Sequence, residues 1–236
     1  YFLPYTYNFA QEKAAYEKAY PDTGLQDSEA KFQLSLKMKL WQDIFGTDLD
    51  LWAAYTQVSM WQVYNTEHSS PFRETNYEPE LILNYRTHID LWGLRNRFVQ
   101  VGLNHQSNGR GQPLSRSWNR IVANIGLERK NLGVQLKTWY RLLEDAEKDD
   151  NPDLTRYMGY GELWVTWIWE KQRFALMLRN NLRQNNLGAV QVDWSIPPLA
   201  LGRLLFGSFV PKETLEKYLT DKVSFYLQYF NGYGEG

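Results

Sequence analysis

The 236-residue sequence predicts an all-β fold, an antiparallel transmembrane β-barrel of about twelve strands. Two observations lead to this prediction. Apolar and polar residues alternate with a period of two along many segments, which gives each strand one apolar and one polar face. The chain also contains 16 Tyr, 10 Trp and 11 Phe. Trp and Tyr concentrate where an apolar surface meets water, as at the two edges of a membrane.

The alternation is clearest in "KFQLSLKMKLW", where one face carries Phe32, Leu34, Leu36, Met38 and Leu40 and the other carries lysine, glutamine and serine. It returns in 132–142 and 190–196. Most of the predicted strands are long enough for the roughly 9–11 residues of a tilted membrane strand. We predict strands near 2–9, 30–42, 50–64, 80–89, 94–107, 117–129, 131–142, 157–170, 172–182, 187–197 and 222–230.

The connections between these strands alternate in length. Short joins fall near 43–49, 90–93, 130 and 171, and long polar ones at 10–29, 65–79, 108–116 and 143–156. Membrane barrels have short turns on one rim and long loops on the other. The exception is 198–221, a long insertion on the short-turn rim, in which "LEKYL" favours a helix. A soluble β-sandwich also has alternating strands, but it would rarely carry so many Trp and Tyr at strand ends.

We expect one barrel domain over residues 1–236, since no stretch resembles a linker. Eleven predicted strands make an odd number, whereas bacterial single-chain barrels usually have an even number. The sequence ends in the loop-like "FNGYGEG". We therefore expect that a last, closing strand is missing from this chain.

Composition excludes several classes of function. A formal net charge of −1 argues against nucleic-acid binding, which normally needs a basic surface. The absence of cysteine excludes disulfides, a thiolate nucleophile and cysteine metal sites. The sequence has neither a signal-like N-terminal segment nor an apolar run of about 18 residues that would form a membrane helix.

A candidate catalytic site lies in "GLNHQSNGR", residues 102–110. His105 and Ser107 share the apolar, outward face of their strand, and parity places Asn119 on the same face of the next strand. Residues two apart on a strand are about 6.6 Å apart and neighbouring strands about 4.8 Å apart, so these side chains can hydrogen-bond. A nucleophile, a base and an orienting group are what acyl-transfer chemistry requires. The alternative is that they are ordinary interface residues, since H-x-S is a common tripeptide.

Seven stretches resemble the outer-membrane phospholipase A family of Gram-negative bacteria. The resemblance spans nearly the whole chain, and it implies a twelve-stranded outer-membrane barrel with its active site toward the outer leaflet. It further implies hydrolysis of phospholipid and lysophospholipid acyl esters, activated by calcium and by formation of a homodimer. The stretches are "KFQLSL", "AAYTQ" (53–57), "SSPFRETNYEPEL" (69–81), "NHQSNGR" (104–110), "SRSWNR" (115–120), "DDNPDLTRYMGY" (149–160) and "NGYGE" (231–235).

The resemblance also implies roles for individual residues. Ser107 is similar to the family's nucleophile, His105 to its general base and Asn119 to the orienting residue. The backbone N–H of Gly109 resembles the oxyanion-hole donor.

The same resemblance implies a Ca²⁺ site formed by the Ser115 hydroxyl, the Arg110 carbonyl and, from a partner subunit, the Ser69 hydroxyl. Gln106 and Gln112 replace acids that are common in the family, so the resemblance does not fix calcium affinity. Gln57 is similar to an interface glutamine. Both faces of its strand are apolar, however, and a pore-lining amide remains an alternative.

The carboxylate-rich stretch "EDAEKDDNPD" (144–153) fits no EF-hand spacing, and we predict an acidic external loop there.

Two other functions remain open on the sequence alone. One is a catalytically silent barrel or channel of the same fold, and the other is an outer-membrane acyltransferase that uses the same acyl-enzyme.

Overall fold

The computed structural model describes residues 1–9, 11, 13–21, 23–145 and 149–235. These residues form a twelve-stranded antiparallel sheet in which all strands but one pair in chain order; β5 pairs only with β6. The strands are β1 (Phe2–Tyr7), β2 (Ser28–Trp41), β3 (Leu49–Trp61), β4 (Phe72–Arg86), β5 (Asp90–Leu91), β6 (Leu94–Ser107), β7 (Ser117–Arg129), β8 (Leu132–Leu142), β9 (Gly161–Trp169), β10 (Gln172–Asn180), β11 (Gly188–Ile196) and β12 (Phe225–Gly232).

Four short α-helices occur among the described residues, and all lie in connections. They are α1 (Lys13–Ala19), α2 (Leu154–Met158), α3 (Pro198–Phe206) and α4 (Lys212–Tyr218), and 3₁₀ turns occupy Ile44–Gly46 and Thr66–His68. In the described part of the chain, no helix has the length and apolar character needed to cross a membrane.

The two edges of the sheet approach each other. The rings of Tyr1, just before β1, and Tyr226 on β12 have centroids 4.8 Å apart. Lys31 on β2 donates to Gln228 Oε1 at 2.6 Å and pairs with Glu235 at 2.8 Å. The sheet is therefore a nearly closed barrel, as the sequence predicts. The further closing strand stays a prediction.

All eleven predicted strands are present, and the two-residue β5 is additional. Several boundaries differ from the prediction, and the starts of β4 and β9 differ most. β4 begins at Phe72, within a segment predicted as loop, because its charged Glu74 and Glu78 alternate with outward residues and stay inside the barrel. β9 begins at Gly161, because the residues before it form α2, whose Met158 packs into the buried cluster of Trp118, Val122 and Trp139.

The alternation has its apolar side outward. Leu36 and Met38 on β2 are 73% and 62% exposed, whereas Asp50 and Arg120 on the inward side are buried. Inside the barrel, a polar cavity of about 400 Å³ is lined in part by Lys37, Glu80 and Lys137. This arrangement is that of a membrane barrel with a lipid-facing wall.

The insertion at 198–221 forms a helical hairpin on the short-turn rim. Gly202 of α3 lies against Leu215 and Leu219. The approach is so close that a methyl group at Gly202 would come within 2.3 Å of Leu219 Cδ1. Lys171, in the β9–β10 turn, forms an ion pair with Asp221 after the hairpin. The hydrogen bond from Lys171 holds the pKa of the Asp221 carboxyl below its usual range.

We predict that a charge at Leu36 destabilises the barrel in a bilayer, because this side chain faces lipid near the middle of β2. Leu36→Arg should lower the free energy of unfolding by about 2–4 kcal/mol. Denaturant titration in phospholipid vesicles would measure it. The matched change Ser35→Arg, on the inward face, should have a much smaller effect, and equal losses in both variants would contradict the assignment of the faces.

Candidate active site

The register between β6 and β7 brings His105 and Asn119 side by side. His105 is the cross-strand partner of Asn119, and Ser107 is the partner of Ser117. His105 Nδ1 lies 2.8 Å from Asn119 Oδ1. A cross-strand pair shares one face of a sheet, and the same face carries the exposed Leu103 and Ile121. The histidine and asparagine therefore lie on the outer, lipid-facing wall.

Ser107 lies two residues beyond His105 on the same face. Both side chains are partly exposed. Within the described residues, no hydrogen bond joins the Ser107 hydroxyl to His105. Such contacts are often long without substrate and tighten when it binds. The structure thus brings together all three residues of the predicted triad and forms one of its two hydrogen bonds.

Gln57 belongs to the same outer face as Ser107. It pairs with Leu34 on β2 and with Tyr77 on β4, and Tyr77 pairs in turn with Ser107. Because Leu34 is 58% exposed on the outer wall, Gln57 does not line the pore. Its amide is held within the wall by Tyr55 Oη at 3.2 Å and Ser59 Oγ at 3.1 Å.

Asn108 fixes the loop that follows β6. Its side-chain oxygen accepts from the backbone N–H groups of Arg110 at 3.2 Å and Arg116 at 3.0 Å, and its Nδ2 donates to the carbonyl of Leu114 at 2.8 Å. Gly109, next to it, has a φ of 65°, which favours glycine. A methyl group there would lie 3.2 Å from Tyr77 Cε2. The Gly109 N–H is thus held at a defined place beyond Ser107.

Arg110 anchors this loop to β4 and to α1. Its Nη2 donates to the carbonyls of Phe72 and Arg73 at 2.8 and 2.7 Å. Its guanidinium lies over the rings of Tyr16 and Tyr20, at 5.2 and 5.6 Å from their centroids. These contacts hold the Arg110 side chain between the loop, β4 and α1.

An oxygen-rich cluster forms around Asp150. Its carboxylate accepts hydrogen bonds from Gln112 Nε2 and Ser115 Oγ, and from Ser117 Oγ at 3.5 Å. Carboxylate, hydroxyl and carbonyl oxygens are the ligands that calcium prefers. Of the predicted calcium ligands, Ser115 belongs to this cluster and Arg110 to the same loop. Ser69 lies in the β3–β4 connection on the same rim, where it is exposed.

The inner face behind the site carries a dense polar network. Arg120 Nε donates to Asn104 Oδ1 at 2.8 Å, and its Nη2 contacts Glu78 at 2.9 Å and Gln106 at 3.1 Å. Its guanidinium lies 3.9 Å from the ring centroid of Trp118. Asn104, Gln106, Trp118 and Arg120 are the chain neighbours of His105 and Asn119. The network therefore stabilises the backbone on which those two residues are held.

Sequence reasoning missed two acidic residues at the site. Asp150 was assigned to an acidic external loop, and Glu144, which accepts from Asn119 Nδ2 at 2.9 Å, was assigned to the same loop. Residues 146–148 of this stretch lie outside the described residues. Leu142 is the cross-strand partner of Asn119. Continuing the alternation of faces two residues beyond Leu142 would have placed Glu144 beside Asn119. Across the described chain, no group of three or more His, Cys, Asp or Glu side chains converges as a metal site.

Comparison with known proteins identifies the family of this chain. The profile of the Phospholipase A1 family matches residues 1–236. Phospholipase A1 of Escherichia coli K12 is 41% identical over 208 residues, which cover 88% of this chain and 63% of that protein. The chain thus spans less than two thirds of the length of this relative.

Two solved structures share the fold across the whole chain. Outer membrane phospholipase A from Escherichia coli superposes with a TM-score of 0.85 at 36% identity, covering 100% of this chain and 82% of that one. The outer membrane phospholipase dimer of Salmonella typhi with bound calcium has the same TM-score, identity and coverage. On the full-length profile match and these relatives, the chain belongs to the phospholipase A1 family.

Proposed function

We propose that this chain is a calcium-dependent hydrolase of the outer membrane that cleaves the acyl esters of phospholipids and lysophospholipids. The observation that carries the proposal is the 2.8 Å contact between His105 and Asn119, beside Ser107, on the lipid-facing wall. A serine, a histidine and an amide on a surface that meets acyl chains suit ester hydrolysis. Family membership supports the same activity.

In the proposed reaction, Ser107 Oγ attacks the ester carbonyl carbon while His105 Nε2 takes its proton. The bond from the carbonyl carbon to the glycerol oxygen then breaks, and His105 returns the proton to that oxygen. Water, activated by the same histidine, releases the fatty acid from Ser107. The Gly109 N–H donates to the oxyanion formed at each step.

Calcium fits the oxygen-rich loop next to Gly109. Asp150, Ser115 and the Arg110 carbonyl would hold the ion, and Ser69 of a second copy would complete the site. Bound calcium supplies positive charge that stabilises the oxyanion. The Salmonella typhi relative is a dimer with bound calcium, which supports this assignment. Gln57, on the outer wall level with Ser107, suits the contact between the two copies.

The active site would act on the outer leaflet. His105 and Ser107 end β6 at the rim that carries the long connections, and long loops of bacterial barrels are extracellular.

A silent barrel or channel would release no fatty acid, and an acyltransferase would pass the acyl chain to another molecule. Product analysis therefore distinguishes all three.

We predict that Ser107→Ala lowers fatty-acid release from phospholipid micelles by more than about 10³-fold, because it removes the nucleophile. Barrel folding, measured by heat-modifiable migration, should be unchanged. Ser35→Ala, on the inward face of β2, is the matched control and should retain activity. Full turnover by Ser107→Ala would remove this residue from the mechanism.

We predict that Gly109→Ala impairs hydrolysis, because a left-handed conformation costs a residue with a side chain about 1–2 kcal/mol and the new methyl would press on Tyr77. The same change at Gly111 should be tolerated, since a methyl group there would meet no atom within 4 Å. Comparing kcat of the two variants measures the effect. Equal kcat in both would argue against a role for the Gly109 N–H.

We predict that Ser69→Ala and Asp150→Asn each raise the calcium concentration for half-maximal activity by about tenfold, equivalent to about 1.4 kcal/mol of binding. Calcium titration of fatty-acid release measures the midpoint. Ser70→Ala, next to Ser69, is the control and should keep it. If the calcium midpoint of Ser69→Ala is unchanged, the calcium site is not shared between two subunits through Ser69. If the midpoint of Asp150→Asn is unchanged, Asp150 is not a calcium ligand.

A further inference from the structure

Glu144 extends the chain of hydrogen bonds that begins at His105. Asn119 pairs across the sheet with Leu142, and Glu144 follows two residues later, so it returns to the outer side of the wall. Its Oε1 accepts from Asn119 Nδ2 at 2.9 Å, and the contact is partly buried. Asn119 therefore lies between the imidazole of His105 and the carboxylate of Glu144.

The side-chain amide of an asparagine in this position can take two orientations. Its amide has an oxygen end and an NH₂ end of nearly the same shape, and only the oxygen end can accept from His105 Nδ1–H. An ionised carboxylate accepts hydrogen bonds and donates none. With Glu144 on one side, the NH₂ end turns toward the carboxylate and the oxygen end toward the histidine. His105 then carries its proton on Nδ1 and keeps Nε2 free to take the proton of Ser107.

Glu144 also supplies a charge that the amide lacks. The histidine becomes a cation when it takes the serine proton, and an asparagine carries no charge to balance it. The carboxylate of Glu144 lies one side chain away, and a hydrogen bond to a charged group is stronger than one between neutral groups. This bond strengthens as His105 becomes charged, because each bond in such a chain polarises the next.

We propose that Glu144 is a positioning residue of the active site, which fixes the orientation of Asn119 and through it the tautomer of His105. This role rests on the proposed hydrolysis by Ser107. Glu144 contacts neither the nucleophile nor the scissile ester, so its loss should lower kcat and leave KM unchanged.

The first test compares Glu144→Ala with Asp145→Asn, a change at the neighbouring exposed acid. We expect Glu144→Ala to lower kcat roughly 10- to 100-fold, the loss expected for one hydrogen bond to a charged group, with unchanged KM and heat-modifiable folding. Asp145→Asn should match the wild type. A kcat of Glu144→Ala equal to that of the wild type, while Ser107→Ala is inactive, would overturn this role and leave the proposed hydrolysis intact.

The second test separates positioning from a general structural role by reciprocal rescue. Asn119→Asp alone sets two carboxylates against each other at a hydrogen-bonding distance, and we expect a large loss of kcat. Glu144→Gln provides an amide that can donate to the introduced carboxylate, so the double variant should be more active than Asn119→Asp. Losses that simply multiply, or a double variant worse than Asn119→Asp, would contradict the proposal.

Discussion

The antiparallel register of β6 and β7 is the constraint on which the site depends. It pairs His105 with Asn119, and a slip of either strand by one residue would turn that strand's member of the pair into the lumen. The same register pairs Ser107 with Ser117 and starts the loop that holds Gly109. The inward neighbours of the pair, above all Arg120 with Glu78 and Asn104, stabilise this register from inside the barrel.

The inner and outer faces of the barrel wall have different physical roles. The inner face holds buried charges in contact with opposite charges and amides, as at Glu78 and Arg120. The outer face is apolar except near the long-loop rim, where His105, Ser107 and Gln57 interrupt it. Polar groups facing hydrocarbon are costly unless they find partners, and a polar interruption of this kind on a lipid-facing wall is typical of a functional site.

The sequence predicts most of the barrel, because alternation over long segments such as 31–41 identifies the strands and the many Trp and Tyr residues favour a membrane barrel over a sandwich. It also predicts the placement of Asn119, since parity alone sets its face. The prediction from sequence fails where tertiary contacts outweigh the local pattern of apolar and polar residues. Phe72–Glu78 reads as loop, yet its charges are stabilised inside the barrel. Gln57 could not be assigned from a strand with two apolar faces, and the cross-strand pairing with Leu34 decides it. Asp150 joins the site only through the folding of a long connection, which no periodicity describes.

The central claim is that Ser107 is a nucleophile activated by His105 on the outer wall of the barrel. Reaction of the folded protein with an alkylsulfonyl fluoride, followed by peptide mass spectrometry, tests it most directly. We expect one adduct, on Ser107, that requires His105 and is absent in His105→Ala. An adduct on another serine, or fatty-acid release that continues undiminished in protein fully modified at Ser107, would contradict it.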